Sequence, residues 1–449
     1  MTDVTASMRG MRAARHWIGF RPVGSGAGPA ARIGPLLLTL VVVLSAVLAF
    51  GDYAGHGAGG GMAVGAASFV AMSLALVLAA RPRLLEPLFG GLDQMYRAHR
   101  ALGIAALVLM ILHQSYEPDF DNRVRETNLG ETAEETGELA FNLLLALIGV
   151  SLLRRLPVIG IEIPYQIWRF SHRLMGLLFA GIAFHQFAID MPAGRTATTG
   201  LMLNGFAIAG IAAWIYTEFL APMLRRRPYE VAAIHQQGQK TELTLTPKGR
   251  AMRWRPGQFV FLRADKAGMS EPHPFTIAAA PRKDGSLRLM IAARGGWTRR
   301  LPQALAVGMP VALEGPYGRF DYRKGGRQQL WLAGGIGITP FLAWAEGLTA
   351  AETRRIHLVY SLRDPDEAMG LEILQAAAAR NPRFTFEVIA TSRDGRLTPA
   401  RLVQTAPFAP READLWFCGP QGLKDSMVEG LAALGQKPRR LRFEHFEFA

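Results

Sequence analysis

Six long apolar stretches dominate the first half of the chain and constrain its fold more than any other feature. They lie at about 33–51, 62–80, 99–116, 136–153, 170–189 and 199–222. Each is close to the roughly 20 residues that a helix needs to cross a bilayer. The first stretch follows 32 residues, which is long for the n-region of a signal peptide. We therefore predict six retained membrane-spanning helices over residues 33–224, with a cleaved signal as the alternative for the first.

The charges around these stretches are segregated. The chain carries a formal net charge of +14. If the helices alternate in direction, one side holds sixteen arginines against four acids, and the other holds ten acids against three arginines. Excess arginine marks the cytoplasmic side, so we predict a multi-pass inner-membrane protein with both termini in the cytoplasm. Residues 1–32 are then a basic cytoplasmic segment near the anionic inner leaflet. Because most of the charge borders the bilayer, nucleic acid is excluded as the main partner.

Four of the ten histidines lie inside two of the predicted helices. His99 and His113 are in the third, and His172 and His185 are in the fifth. Ionisable residues within spans are usually functional, although a polar helix–helix contact is the alternative. Both helices run outward, so each offers one histidine near the cytoplasmic face and another about 20 Å further out. Neutral imidazole is a good axial ligand for iron, so we predict two haems, one above the other.

Two further observations bear on these histidines. The single cysteine, Cys418, excludes a CxxCH haem attachment, an intramolecular disulfide and a cysteine-ligated iron–sulfur cluster. The 13 residues from His172 to His185 make about 3.6 turns, which places the two rings on different faces of a regular helix. The sequence therefore predicts a local distortion of this helix, near Gly176 or Gly181.

Histidines spaced 14 and 13 residues apart on the third and fifth of six spans resemble the ferric reductase and NADPH oxidase superfamily of transmembrane flavocytochromes. The resemblance extends over about residues 33–449. It implies two b-type haems, the inner held by His99 and His172 and the outer by His113 and His185. It also implies a ferredoxin-reductase-type region that binds FAD and NAD(P)H.

The second half of the chain has the pattern of two soluble domains. Residues 228–325 contain short alternating segments separated by turn residues, which favours a small antiparallel β-barrel. In residues 326–449 strands alternate with helices, which favours an α/β domain with a parallel sheet. The predicted fold is therefore a multidomain membrane protein, with a six-helix transmembrane haem bundle, a β-barrel FAD domain and an α/β nucleotide-binding domain.

Three motifs in the barrel region are similar to flavin motifs of the family. The segment HPFTI predicts a rigid turn into a strand, and a plain sheet edge is the alternative. RGGWT allows close backbone approach to a phosphate, with Thr298 as a helix cap. EGPYG at 314–318 ends the barrel. The resemblance implies that these residues bind FAD: His273, Pro274, Phe275, Thr276, Arg294, Gly295, Gly296, Trp297 and Thr298.

The α/β region carries a glycine-rich loop between a buried strand and a helix, where a dinucleotide pyrophosphate binds in such folds. It is similar to the family's GGxGxTP motif for the nicotinamide nucleotide. Arginine and serine after the next strands favour a ribose 2′-phosphate, and hence NADPH over NADH, although a solvated loop is the alternative. The residues are Gly334, Gly335, Gly337, Thr339 and Pro340 in the loop, and Arg363, Ser392 and Arg393 after the strands.

Only the resemblance places two further sets of residues next to the reacting rings of the nicotinamide and the flavin. Cys418 by itself reads as a buried small hydrophobe. In the family, the pair matching Cys418 and Gly419 flanks the nicotinamide. Members of the family often end in an aromatic residue that covers the flavin, which implicates Phe446 and Phe448. An ordinary edge strand at the chain end is the alternative.

These expectations describe an enzyme that passes electrons from cytoplasmic NAD(P)H, through FAD and two haems, to an external acceptor. The acceptor is ferric iron, as a chelate, or O2, giving superoxide. An acidic external loop at 117–138 attracts cations, which favours metal. Two other functions stay open: delivery of electrons to a periplasmic redox partner, and haem binding without catalysis.

Overall fold

The computed structural model describes residues 33–54, 58–116, 128–153, 165–189, 198–266 and 268–444. The chain divides into two compact units. The helical unit comprises Pro29–Arg227 with Leu313–Tyr317, and the sheet unit comprises Pro228–Ala312 and Gly318–Ala449. The basic segment predicted over residues 1–32 lies outside the described residues.

The helical unit contains long helices where apolar stretches were predicted. Its helices are α1 (Ile33–Tyr53), α2 (Gly59–Ala79), α3 (Glu86–Phe89), α4 (Leu92–Gln114), α5 (Gly130–Leu153), α6 (Tyr165–Arg173), α7 (Met175–Ala188), α8 (Thr198–Ile215) and α9 (Ala221–Leu224). A π-helical turn, Tyr216–Leu220, joins the last two.

Four of the described segments are long and apolar enough to cross a membrane. They are Ile33–Tyr53, Gly59–Ala79, Leu92–Gln114 and Thr198–Leu224. The first turns of α5 carry several glutamates, and the fifth predicted span is divided between α6 and α7. The membrane character of this half is thus supported, and six spans remains a prediction.

Helix α2 lies at the centre of the helical unit and packs against α1, α4 and α8. It is apolar all round, and small residues such as Ala66 and Ala71 let its neighbours approach closely. Two of its serines bind backbone carbonyls of other helices: Ser68 Oγ donates to Ala106 O at 2.8 Å, and Ser73 Oγ donates to Phe206 O at 2.7 Å. Such bonds satisfy hydroxyl groups that no water molecule reaches.

The predicted fifth span is interrupted at Leu174. Helix α6 ends at Arg173 and α7 begins at Met175. The Leu174 amide donates to Ser171 O at 3.1 Å, a tighter turn than the α-helical one. The distortion expected near Gly176 or Gly181 therefore occurs two residues before Gly176. The sequence offers no proline or glycine at the break itself.

The sheet unit begins with a six-stranded sheet in the order β4-β3-β6-β1-β2-β5. Its strands are β1 (Arg227–Gln237), β2 (Lys240–Pro247), β3 (Phe259–Ala264), β4 (His273–Thr276), β5 (Leu287–Ala292) and β6 (Pro310–Tyr317), with helix α10 (Gly296–Ala304) between the last two. The pairs β1–β2, β2–β5 and β3–β4 are antiparallel. A bridge between Ile277 and Leu289 links the two edges of the sheet, which makes it barrel-like.

A second sheet of five parallel strands has the order β11-β10-β7-β8-β9. Its strands are β7 (Gln328–Gly334), β8 (Arg355–Leu362), β9 (Phe384–Ala390), β10 (Asp414–Cys418) and β11 (Arg440–Phe443). The accompanying helices are α11 (Thr339–Gly347), α12 (Leu371–Arg380), α13 (Thr391–Asp394), α14 (Pro399–Thr405) and α15 (Gln421–Ala433). The parallel sheet predicted for the α/β region is confirmed.

Both faces of this sheet are buried, as strands of parallel sheets usually are. Along β7, Leu330 and Leu332 belong to one core cluster, while Trp331 and Ala333 belong to the other. Alternate residues of a strand point to opposite faces, so two cores result. The carboxyl ends of β7 and β10 are therefore held rigidly side by side.

Candidate functional site

The four predicted haem histidines lie on three helices. His99 and His113 are on α4, His172 is at the end of α6 and His185 is on α7. The ring centroids of His99 and His172 lie 6.1 Å apart, with 73° between the ring planes. His113 is close enough to His185 for the two side chains to interact electrostatically. The structure thus places the rings of His99 and His172 next to each other, and it also places His113 near His185.

Three of the four imidazoles form a hydrogen bond from Nδ1 to a backbone carbonyl. The partners are Ala75 O for His99 at 2.8 Å, Gly61 O for His113 at 3.0 Å and Ala133 O for His185 at 2.9 Å. A carbonyl only accepts, so Nδ1 carries the hydrogen and Nε2 keeps its lone pair. This is the arrangement in which histidine ligates a metal through Nε2, with the ring oriented by its other nitrogen.

Two glycines make room for these rings. A Cβ on Gly65 would lie 2.8 Å from His113 Nδ1, and a Cβ on Gly137 would lie 2.3 Å from His185 Nδ1. Both are closer than ordinary contact, so any side chain here displaces the imidazole. Within the described ranges, no group of three or more His, Cys, Asp or Glu side chains is placed to hold a bare metal ion.

In the sheet unit, two of the predicted flavin motifs come together. Strand β4 is the segment His273–Thr276, and the His273 ring lies 4.4 Å from that of Trp297, centroid to centroid. Phe275 stacks on the same indole at 5.7 Å. Thr276 Oγ1 and Trp297 Nε1 are buried and have no hydrogen-bond partner among the described residues. Buried polar groups are rarely left unsatisfied, so these two atoms fit a site that a polar ligand completes.

The RGGWT turn opens helix α10, with Gly295 before its first residue. Thr298 Oγ1 accepts from the amides of Arg294 at 3.0 Å and Gly295 at 2.9 Å. Gly295 is thus the N-cap, and Thr298, predicted as the cap, is the third residue of the helix, whose hydroxyl folds the turn back onto the helix start. Arg294 lines two clefts: one of about 420 Å³ beside the β1–β2 turn, and one of about 80 Å³ beside Gly334.

The glycine-rich loop follows β7 as predicted. Gly335 has φ +55°, and a 3-10 turn over Gly335–Ile338 leads into α11. A Cβ on Gly337 would lie 2.2 Å from Cys418 O, so only glycine allows the two loops to meet. The loop and the Cys418–Gly419 segment thus form one narrow groove at the carboxyl edge of the sheet. That edge is where nucleotides bind in open α/β folds.

Cys418 ends β10 and is fully buried. Burial raises the pKa of its thiol well above the usual value, and the nearby Glu444 raises it further. The sulfur is therefore a neutral thiol at physiological pH. Gly419, next in the chain, lines the smaller cleft with Gly334 and Gly337.

The residues predicted for the ribose 2′-phosphate lie after β8 and β9. The Ser392 amide donates to Arg363 O at 2.9 Å, so the two loop ends are adjacent. Arg393 is held by Asp394 through two hydrogen bonds of 3.0 Å, and this pairing lowers the pKa of Asp394 to about 2. Arg393 must leave Asp394 or share it to bind a phosphate, so the preference for NADPH stays a prediction.

Some predicted residues lie outside the described part of the chain, and some neighbours were missed. Phe446 and Phe448 fall among residues 445–449, which the structure does not describe. Glu444 and Lys424 line the smaller cleft, and neither was predicted. Trp168, stacked on His172 at 5.1 Å, was also missed. Its position one helical turn before the histidine was the available signal.

Three family descriptions match successive parts of the chain. "Ferric reductase like transmembrane component" matches residues 64–183, "FAD-binding domain" matches 231–321, and "Oxidoreductase NAD-binding domain" matches 331–429. This order is the architecture of the ferric-reductase-like flavocytochromes with ferredoxin-reductase-type domains, which confirms the resemblance drawn from the sequence.

Individual proteins are similar to this chain in part. The toluate 1,2-dioxygenase electron transfer component of Pseudomonas putida is 30% identical over 42% of this chain and 58% of its own length. The ferredoxin reductase component of 3-ketosteroid-9-alpha-monooxygenase from Mycolicibacterium smegmatis is 30% identical over 44% and 56%. The FAD/NAD-binding domain of a Vibrio cholerae nitric oxide dioxygenase superposes with a TM-score of 0.42 and 21% identity, over 49% of this chain and 97% of that one. The chain spans about half the length of the curated relatives that it matches, from 48% to 58%.

Proposed function

We propose that this chain is a transmembrane oxidoreductase that carries electrons from cytoplasmic NAD(P)H, by way of FAD and two b-type haems, to an acceptor outside the inner membrane. In this proposal the acceptor is a ferric chelate or O2, and lipid surrounds the helical unit. When bound, FAD would supply the conversion of a hydride into single electrons, and haem would supply one-electron relay.

The observation that carries the proposal is the geometry of His99 and His172. Two imidazoles that would hold one metal ion, each through a nitrogen–metal bond of about 2.0–2.1 Å, need ring centroids no more than roughly 6 Å apart. The observed separation is 6.1 Å. With Nδ1 of His99 bonded to a carbonyl, its Nε2 is left to ligate. His113 and His185, similarly bonded through Nδ1, would hold the second haem.

In the sheet unit, different residues would bind the flavin and the nucleotide. Thr276 and Trp297 offer unsatisfied polar atoms beside the aromatic face of the HPFTI segment, which suits an isoalloxazine ring. The Gly295–Gly296 turn at the start of α10 suits a pyrophosphate. The cleft lined by Gly334, Gly337 and Gly419 suits the nicotinamide nucleotide, with Cys418 buried next to Gly419.

The test is an anaerobic experiment on the purified full-length chain in detergent. Addition of NADH or NADPH should bleach the flavin and produce two reduced b-type haem bands. Reoxidation is then followed in parallel with O2 and with ferric chelate. NAD(P)H oxidation that leaves both haems oxidised would overturn the proposal.

The same assay separates the remaining functions. Fast reoxidation by ferric chelate identifies a ferric reductase, whereas an oxygen response abolished by superoxide dismutase identifies an oxidase. Haems that are reduced quickly but turn over slowly with both acceptors point to delivery of electrons to a periplasmic partner. Purified protein that holds haem without flavin points to haem binding alone.

A further inference from the structure

The four transmembrane histidines are not held in the same way. His99, His113 and His185 each bind a backbone carbonyl through Nδ1 at 2.8–3.0 Å. Nδ1 of His172 is buried and, in the part of the chain that the structure describes, has no hydrogen-bond partner. One of the four imidazoles therefore lacks the bond that fixes the rotation of the other three.

An indole ring contacts this exceptional histidine. Trp168 lies four residues before His172 on α6, so both side chains are on the same face of that helix. The two rings are stacked, with centroids 5.1 Å apart and planes 18° from parallel. An indole face against an imidazole face restricts rotation of the imidazole about its Cβ–Cγ bond, because rotation breaks the stack.

We propose that Trp168 is a positioning residue for His172, and that its stacking replaces the Nδ1 hydrogen bond that orients the other three histidines. The inference rests on the proposed function, since it takes His172 as an axial ligand of the inner haem. Outer contacts of a ligating histidine fix its ring orientation, and their loss weakens metal binding typically 10- to 100-fold. Among the described residues, the Nδ1 atom of His172 has no hydrogen-bond partner, so the stack with Trp168 supplies the restraint in its place.

The test compares three variants of the full-length chain. Trp168→Leu removes the indole, Trp168→Phe keeps an aromatic face, and Phe170→Leu is the matched control on the same helix. Phe170 is 65% exposed and lies two residues before His172, a spacing at which helical side chains do not face each other. Each purified protein is assayed for haem per chain, for reduced-minus-oxidised spectra, and for low-spin ferric signals by electron paramagnetic resonance.

We expect Trp168→Leu to fall from two haems per chain to about one, with loss of one low-spin signal. Trp168→Phe and Phe170→Leu should each retain two haems. A Trp168→Leu protein with two haems and unchanged low-spin signals overturns the inference. If that variant does not fold, Trp168→Phe decides alone: we expect a shifted low-spin signal at one haem, and unshifted signals overturn the inference. A wild-type chain without haem overturns the proposed function instead, so the two failures are distinguishable.

Discussion

At the scale of single residues, the site is marked by polar atoms that the protein itself leaves unsatisfied. Thr276 is 4% exposed, yet its hydroxyl has no partner among the described residues. A buried hydroxyl without a hydrogen bond costs roughly 1–3 kcal/mol. The unsatisfied hydroxyl supports the proposed flavin site, where a bound ligand would supply the missing hydrogen bond. The sequence predicted Thr276 from its motif, but burial and the missing partner appear only after folding.

Replacement of Thr276 by valine should therefore separate stability from activity. We expect flavin-free protein to be at least as stable as wild type, because the buried hydroxyl is gone. Flavin reduction by NAD(P)H should slow by about 5- to 10-fold, the worth of roughly one hydrogen bond. Thermal melting and anaerobic stopped-flow measure the two effects. Thr276→Ser, which keeps the hydroxyl, is the control and should stay near wild type.

The buried thiol of Cys418 leads to a pH prediction. Its pKa in the folded chain is raised by burial, whereas an unfolded cysteine titrates near about 8.5. The contribution of the protonated thiol to the free energy of unfolding is thus complete below about pH 8.5. It is lost as the pH rises above that value, because the thiol then ionises only in the unfolded chain. We expect the melting temperature to fall between pH 8 and 10, and less steeply in Cys418→Ala.

Because Cys418 is the one cysteine of the chain, alkylation gives a second measurement. Iodoacetamide at pH 8 should label the folded protein far more slowly than the urea-unfolded protein. Rapid labelling of the folded chain would contradict a buried, neutral thiol.

At the scale of elements, helix packing rather than helix formation shapes the membrane site. Apolar runs predict where helices form, since each turn satisfies its own backbone. They do not predict where one breaks. The interruption at Leu174 follows no proline or glycine, so no residue type in the sequence marks it. Gly176 nearby instead gives space to Trp214, whose Cδ1 would lie 2.0 Å from an added Cβ.

Two glycines on helix α5 provide a matched pair for testing this packing. A Cβ at Gly137 would lie 2.3 Å from His185 Nδ1, whereas nothing lies within 4 Å of one at Gly149. We expect Gly137→Ala to displace His185 and reduce haem from two per chain to about one. Gly149→Ala should keep both haems, since its methyl group enters open space. Haem extraction and reduced spectra make the comparison. Equal haem content in the two variants would argue against His185 as a ligand.

At the scale of the whole molecule, charge predicts orientation. The charge count predicts that both termini lie in the cytoplasm, since one side holds sixteen arginines against four acids and the other holds ten acids against three arginines. Much of the acidic side, including residues 117–127, lies outside the described part of the chain. The orientation therefore stays a prediction that only a measurement in cells can test.

Reporter fusions supply that measurement. Green fluorescent protein at the C-terminus should fluoresce, and alkaline phosphatase inserted within 117–127 should be active, because it needs the disulfides of the periplasm. The same phosphatase inserted at 81–85, on the arginine-rich side, is the control and should be inactive. The reverse pattern of phosphatase activity would invert the topology and place NAD(P)H use outside the cell.

The sequence alone predicts the order of the three regions, the parallel sheet and the motifs of each candidate site. These depend on local periodicity, on glycine where backbones meet, and on charge beside apolar runs. The remaining contacts form only in the folded chain. There, Gly337 contacts Cys418 and the ring of Trp297 packs against that of His273. His172 stacks on an indole and does not bond a carbonyl within the described residues. These contacts join residues that are distant in the chain or depend on side-chain orientation, and only packing of the complete fold selects among the many pairings that the sequence allows.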